Sequence, residues 1–319
     1  MLTGRLRRNV SETDASRQKG KMRTYFDCIP CFVRQALDSV RRVTDDKAVQ
    51  EQVLRETLGA IREMDYRASP PAMGREIHRC IRKRLGARDP YRAMKDQSNQ
   101  RALELYPALK SKVARSTNPL ETAVRLAIAG NIIDIAVKGD VGRVDVDEAI
   151  EHALTAPFDV DIDGFAEAVS AADTILYLTD NAGEIVFDRL LIEALPLNRV
   201  TIAVRGAPVI NDATIEDARA AGITGLVDVI DNGSDVPGTI LDTCSPAFRR
   251  QFEEADLAIS KGQGNYETLS DERKNLFFLL KVKCPVIARD IGFDVGSLVL
   301  YRSDHVVADT KKGGRFARI

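Results

Sequence analysis

From about Pro157 onward, short β-branched and apolar runs alternate with amphipathic stretches, and this alternation limits the fold more than any other feature of the chain. It is the pattern of a mostly parallel sheet covered on both faces by helices. The strand candidates are TILYL, VTIAV, LVDVI, LAIS, PVIA and HVVA. Each of the first four runs into a polar, glycine-containing or turn-forming segment: TDNAGE, RGAPVINDAT, DNGSD and SKGQGNYE. Asp, Asn and Gly also build turns and cap helices, so one such strand end carries little information. Right-handed crossovers, however, bring four of them to a single edge of one sheet, the edge at which open α/β sheets bind ligands. That convergence favours a site over a set of independent turns.

The residue types at that edge narrow its chemistry. Asp180, Asn181 and Asp212 are oxygen donors suited to a hard divalent cation that keeps positions open for water and substrate. Asp212 also reads as the N-cap of the helix that begins ATIEDARAA. Lys261 follows a strand and precedes Gly262, Gln263, Gly264 and Asn265, so backbone N–H groups and an ammonium could meet an anion there, and a phosphate fits. The segment matches neither GxxxxGK[ST] nor GxGxxG, which argues against a P-loop and a dinucleotide fold. Asp231 and Asn232 precede Gly233 at another strand end, where a tight turn competes with a binding role. Glu184 and Glu267 read as general bases, supporting groups or solvated helix residues.

The first half of the chain has helical rather than strand periodicity, as in Ile29, Phe32, Val33, Ala36, Leu37 and Val40. Three regions result: a disordered basic leader over 1–23, a helical bundle over 24–156 and a Rossmann-like α/β metal-binding domain over 157–319. Met22 is an alternative start. In the apolar stretch from Pro119, Gly130 precedes Asn131 and Asp134, polar groups that need partners and would find them at the junction of the two domains. Near-balance of 46 Lys and Arg against 47 Asp and Glu leaves no global field for nucleic acid or an anionic membrane. No apolar run approaches a membrane span, and the expected location is the cytoplasm. Five cysteines are too few for a disulfide scaffold. A second metal at Cys28 and Cys31 would need two further ligands, with His78 and Cys80 the nearest candidates.

Taken together, CIPC, DPYRAMKDQSN, AGNIID, LTDNAGE, GAPVINDAT, VIDNG, SKGQGNYETL and KVKCPVIA resemble the damage-control phosphatase family, also known as domain of unknown function eighty-nine. The likeness is greatest to its prokaryotic, CxxC-containing branch and runs from about Tyr25 to Ala308. It implies a helical bundle packed on a Rossmann-like domain, with the site between them. It also implies metal ligation by Asp180, Asn181 and Asp212, a functional Lys261, and a pocket completed by Asn131 and Asp134. The implied activity is hydrolysis of phosphate monoesters of small metabolites, such as sugar phosphates, with Mn, Co, Ni or Mg. A carboxyl methyltransferase or a non-catalytic phosphosugar-binding protein are the alternatives. Covalent aspartyl-phosphate chemistry and direct water attack stay open, as do substrate, metal and oligomeric state.

Overall fold

The computed structural model describes residues 22–130, 143–158 and 160–303. Its centre is a six-stranded sheet, with β1 at Ile175–Leu178, β2 at Val200–Val204, β3 at Asp228–Asp231, β4 at Leu257–Lys261, β5 at Leu276–Lys281 and β6 at Leu298–Arg302. The spatial order is β3-β2-β1-β4-β5-β6. Strands β1 to β5 pair in parallel and β6 closes one edge antiparallel to β5. Chain order reverses between β1 and β4, so the carboxyl ends of these two neighbours flank the switch point where a doubly wound sheet opens its crevice.

The sheet separates two cores. Ile175, Tyr177, Ile202, Ile259, Phe277 and Leu279 face one core, and Leu176, Leu178, Ala258, Leu276, Phe278 and Leu280 face the other. Every residue of β1 is buried, as expected of a central parallel strand covered on both sides. On the first face lie α4 (Arg92–Arg115), α5 (Pro119–Ala129), α7 (Ile162–Ala171) and α8 (Glu184–Ile192). The second face carries α10 (Pro246–Glu254), α11 (Gln263–Leu269) and α12 (Pro285–Ile291). The stretch between α5 and α7 includes α6 (Arg143–Thr155), and α9 (Ile215–Ala220) follows β2.

The helical half therefore divides. Helices α1 (Cys28–Val43), α2 (Lys47–Glu63) and α3 (Pro70–Leu85) build a core of their own, around Phe32, Val40, Val53, Ile77 and Ile81. Residues of α4 and α5 instead join the sheet's core. Three arginines of α3 dock the small bundle: Arg75 and Arg79 donate to Asp235 at 2.7 Å, and Arg82 does so at the same distance. Gly74 allows close approach there, because a Cβ would stand 2.9 Å from Pro237 Cγ. Met22 is buried in the second core, and its backbone N–H donates to Asp271 at 2.8 Å.

One strand assignment needs correction. PVIA belongs to α12, with Pro285 in its first turn and Cys284 as N-cap, because a four-residue apolar run carries no period that tells a strand from a helix start. LFFLLK and LVLYR are the strands at that end of the sheet; LFFLLK is buried through its first five residues and so shows no alternation. HVVA and the leader over 1–21 lie outside the described residues. Among the described residues, no helix is long and apolar enough to cross a membrane.

Candidate active site

Two loops meet at the carboxyl ends of β1 and β2. The segment after β1 pairs with the Val209–Ala213 segment: Ala213 N donates to Asp180 O and Ala182 N to Asn211 O, both at 2.8 Å, around an antiparallel bridge between Asn181 and Asp212. This short zipper sets Asp180, Asn181 and Asp212 side by side on the wall of a cleft of about 560 Å³. Ile210, two residues before Asp212, has φ of 44°, a left-handed conformation that a β-branched residue adopts only under strain. Gly262 holds φ of 82° under Asp180, where a Cβ would lie 2.0 Å from the Asp180 Oδ2 atom. No other residue fits beneath that carboxylate.

The site is dense in buried charge. Asn181 Nδ2 donates to Asp180 Oδ2 at 2.9 Å and to Glu184 Oε2 at 3.0 Å. Arg205, buried, donates to Asp212 Oδ2 at 2.6 Å and to Thr239 and Asn265 at 3.2 Å. Lys261 is fully buried and gives its three N–H groups to Ala127 O at 2.7 Å, Glu184 Oε1 at 2.7 Å and Asp188. Tyr177 OH donates to the same Asp188 Oδ1 at 2.9 Å, and the buried Asp188 Oδ2 has no hydrogen-bond partner among the described residues. Lys261 thus binds the α5 end and two acids of α8 into one network beneath the cleft, with every donor engaged.

Titration follows from these contacts. Burial, joined by the charges of Glu184 and Asp212, holds the Asp180 carboxyl well above the usual range, against opposition from Lys283 and Arg205. Burial also raises Asp212, partly offset by Arg205. Burial acts on Glu184 too, but the Lys261 ammonium outweighs it and leaves that carboxyl below its usual value. Asp188 is pushed by burial up to about 6, with Lys261 opposing. Around this point Asp180, Glu184, Asp188 and Asp212 are buried beside two buried cations in contact with them, Lys261 and Arg205, so ionising all four acids would leave two negative charges unmatched by those contacts.

That deficit is the test of a metal. Two carboxylates and an amide oxygen on one wall, in surroundings short of two charges, suit a hard divalent cation with oxygen ligands and open positions. Among the described residues, no group of three or more His, Cys, Asp and Glu side chains is arranged to hold a metal; a set built on Asp180 and Asp212 would draw its third protein donor from the Asn181 amide.

The other sequence candidates fall in three places. Gln263 and Gly264 line the cleft, as do Cys28 and Cys31. Asn265 lies behind it, where its Nδ2 donates to Thr179 O at 3.1 Å and Lys261 O at 2.7 Å, and Gly262 N is bonded to Leu279 O. Asp231 and Asn232 hold their own turn: Asp231 accepts from Gly233 N, and Asn232 accepts from Gly206 N and Ser234 N. Neither lines the cleft. Asn131 and Asp134 lie outside the described residues. Thr214, with Asp217 in a reciprocal capping box, is the N-cap of α9 rather than Asp212, whose carboxylate Arg205 engages. His78 bonds buried Tyr91 at 2.7 Å and Cys80 bonds Glu56 at 2.8 Å, and among the described residues they form no metal-holding group with Cys28 and Cys31.

Several residues that sequence reasoning did not assign support the site. Asn99 of α4 accepts from Gly183 N at 2.7 Å and donates to Asp217 at 2.8 Å, bracing both loops, while buried Lys95 pairs with Asp217 at 2.9 Å. Their signal was legible in RAMKDQSNQ, where Arg92, Lys95 and Asn99 fall on one face of a helix. Lys283 and Cys284, before α12, line the cleft as well, and Lys283 is exposed there.

A doubly wound sheet with a carboxylate-rich cleft at its switch point defines a Rossmann-like α/β protein, and that cleft is lined by the strand-end loops and by helices of the small bundle. The chain belongs to the family described as damage-control phosphatase ARMT1-like domain, whose model matches residues 24–299. It is 36% identical over 279 residues to the damage-control phosphatase of Archaeoglobus fulgidus, covering 85% of this chain and 96% of that protein. An uncharacterized protein of Methanocaldococcus jannaschii is 35% identical over 290 residues, with 86% and 94% covered. The crystal structure of a DUF89 family protein from Pyrococcus horikoshii superposes with a TM-score of 0.81 at 35% identity, covering 89% of this chain and all of that one.

Proposed function

We propose that this protein is a divalent-metal-dependent phosphatase that hydrolyses phosphate monoesters of small metabolites, sugar phosphates or damaged phosphometabolites. The buried charge deficit around Asp180, Asn181 and Asp212 carries this reading, and the family relatives named as damage-control phosphatases support it. A divalent cation held by these three residues would polarise the phosphoryl group and lower the pKa of a bound water. Mn, Co, Ni and Mg all suit such a donor set.

The chain's own residues do the rest. Arg34 and Lys283 are exposed cations on the cleft wall, and they bind the phosphate dianion from the solvent side. Lys261 keeps Glu184 and Asp188 neutralised and so fixes the floor on which Asp180 rests. Glu267, half-buried in the same cleft and bonded by Gln263 Nε2 at 2.9 Å, is raised by burial to about 7 and can protonate the leaving oxygen near neutral pH.

The test is phosphate release from p-nitrophenyl phosphate and a panel of sugar phosphates by metal-stripped protein titrated separately with Mn, Co, Ni, Mg and Zn. Metal-dependent release that Asp180→Ala lowers by at least about 100-fold is the expected result. Binding of sugar phosphates without release would replace the reading with a sensor, and metal-independent methyl transfer with a transferase.

A further inference from the structure

Three of the five cysteines, from two distant parts of the chain, line the cleft that holds Asp180 and Asp212. Cys28 and Cys31 form the first turn of α1, and Cys284 immediately precedes α12. All are free thiols, with Cys31 exposed and the other two half-buried. Gln263 Nε2 ties the third thiol to the cleft's carboxyl, at 3.7 Å from Cys284 Sγ and 2.9 Å from Glu267 Oε1.

A metal clip is not the reading that fits, because among the described residues no such group has metal-holding geometry. A disulfide needs only two sulfurs. In an α-helix, residues i and i+3 have Cα atoms about 5 Å apart, given the rise and radius of the helix. That lies within the range of roughly 4.4–6.8 Å that a disulfide tolerates.

We propose that Cys28 and Cys31 are a reversible dithiol–disulfide pair at the mouth of the cleft, oxidised by low-molecular-weight disulfides, and that the oxidised form turns over more slowly. The Cys31 thiolate, the more accessible, attacks one sulfur of a disulfide RSSR, and the S–S bond breaks to release RS⁻, which takes up a proton. The Cys28 thiolate then attacks the Cys31 sulfur of the mixed disulfide, forming the Cys28–Cys31 bond and expelling the second RS⁻. Two electrons and two protons pass from the chain to RSSR, which becomes two RSH.

Burial pushes both thiols up, with the charges of Glu267 and Cys284 adding to it, so little thiolate is present at neutral pH. Exchange is correspondingly slow, which separates this pair from a catalytic oxidoreductase dithiol and matches a slow sensor. Closing the bond brings the two sulfurs to about 2 Å and reshapes the first turn of α1. Asp27, Arg34 and Gln35 form the same wall, so the change reaches the phosphate side of the cleft.

The pairing stands independently of the phosphatase reading; the effect on turnover rests on it. The full-length protein is incubated with millimolar oxidised glutathione or with dithiothreitol, alkylated in denaturant and digested with trypsin. Both cysteines fall in one peptide, TYFDCIPCFVR, and Cys284 in CPVIAR. The expected result is that TYFDCIPCFVR resists alkylation and is two hydrogens lighter, that alkylatable thiols fall from five to three, and that dithiothreitol restores them. Full alkylation of both cysteines, a stable glutathione adduct, or a bond from Cys31 to Cys284 would overturn the pairing. On the same samples, metal-loaded turnover falls several-fold on oxidation and recovers on reduction; equal turnover in the two states would overturn the coupling. Absence of turnover in the reduced protein would count against the phosphatase reading, while the peptide map still decides the pair.

Discussion

The sheet opens a cavity at each of its ends, about 570 Å³ at the amino end of β1, β2 and β3 and about 560 Å³ at the carboxyl end. Volume does not tell them apart. The amino-end cavity is lined by Asp173, Asp228 and Glu254, all exposed, whose charges are screened by water. At the carboxyl end Asp180, Glu184, Asp188 and Asp212 are buried against two cations. Burying carboxylates without balancing charge is costly, and a fold keeps such an arrangement where a ligand completes it. A cavity marks space, whereas an uncompensated buried charge marks a site.

Substitutions at the two ends should differ accordingly. The largest effect is expected at Lys261. Lys261→Met leaves Glu184 and Asp188 buried without their cation and should cost about 3–5 kcal/mol in urea unfolding. A loss under about 1 kcal/mol would show that the network beneath the cleft is not structural. Next comes Gly262→Ala, whose Cβ collides with the Asp180 carboxylate and requires a positive φ. Its metal-dependent turnover should fall by about 100-fold or more, with a smaller loss of stability. Retained turnover would show that the position of Asp180 is not critical.

Lys283→Met removes an exposed cation from the cleft and should raise KM about 10-fold while leaving the unfolding midpoint unchanged. The expected contrast with Lys261 is that one lysine serves the substrate and the other the fold. Equal effects on stability would erase that distinction. A pH series sharpens the comparison further. The Asp188 and Glu267 carboxyls are raised to about 6 and about 7, so the folded chain binds more protons than the unfolded one between the ordinary carboxyl range and those values. Their contribution makes the metal-stripped protein lose stability as pH rises from about 4 to about 7, and Asp188→Asn should flatten that decline in a denaturant series. The smallest effect belongs to the amino end, where Asp228→Ala should change stability by no more than about 0.5 kcal/mol and leave turnover intact.

Much of this contrast was legible in the sequence. The polar ends of TILYL and VTIAV located Asp180, Asn181 and Asp212, because parallel strands with right-handed crossovers must deliver those ends to one edge. What was not legible depends on long-range pairing. Lys261 reads as an anion-facing residue between a strand and a glycine, yet its acceptors Ala127, Glu184 and Asp188 lie 134, 77 and 73 residues away. Asp231 and Asn232 stand at a strand end like Asp180, but the loop they close turns on itself and away from the cleft. The third thiol in the cleft was hidden by treating PVIA as a strand, since its helical start is what places Cys284 beside Gln263. Local pattern reports which edge is polar; the partner of each buried charge is a property of the tertiary fold.

The central claim is that Asp180, Asn181 and Asp212 complete their surroundings by holding a divalent cation. Equilibrium dialysis of metal-stripped protein against Mn²⁺ measures it most directly, with circular dichroism confirming the fold of each variant. One Mn²⁺ per wild-type chain is predicted, with binding lost in Asp180→Asn and Asp212→Asn and retained in Asp228→Ala. Undiminished binding by the Asp180 and Asp212 variants, or no binding by the wild type, would contradict it.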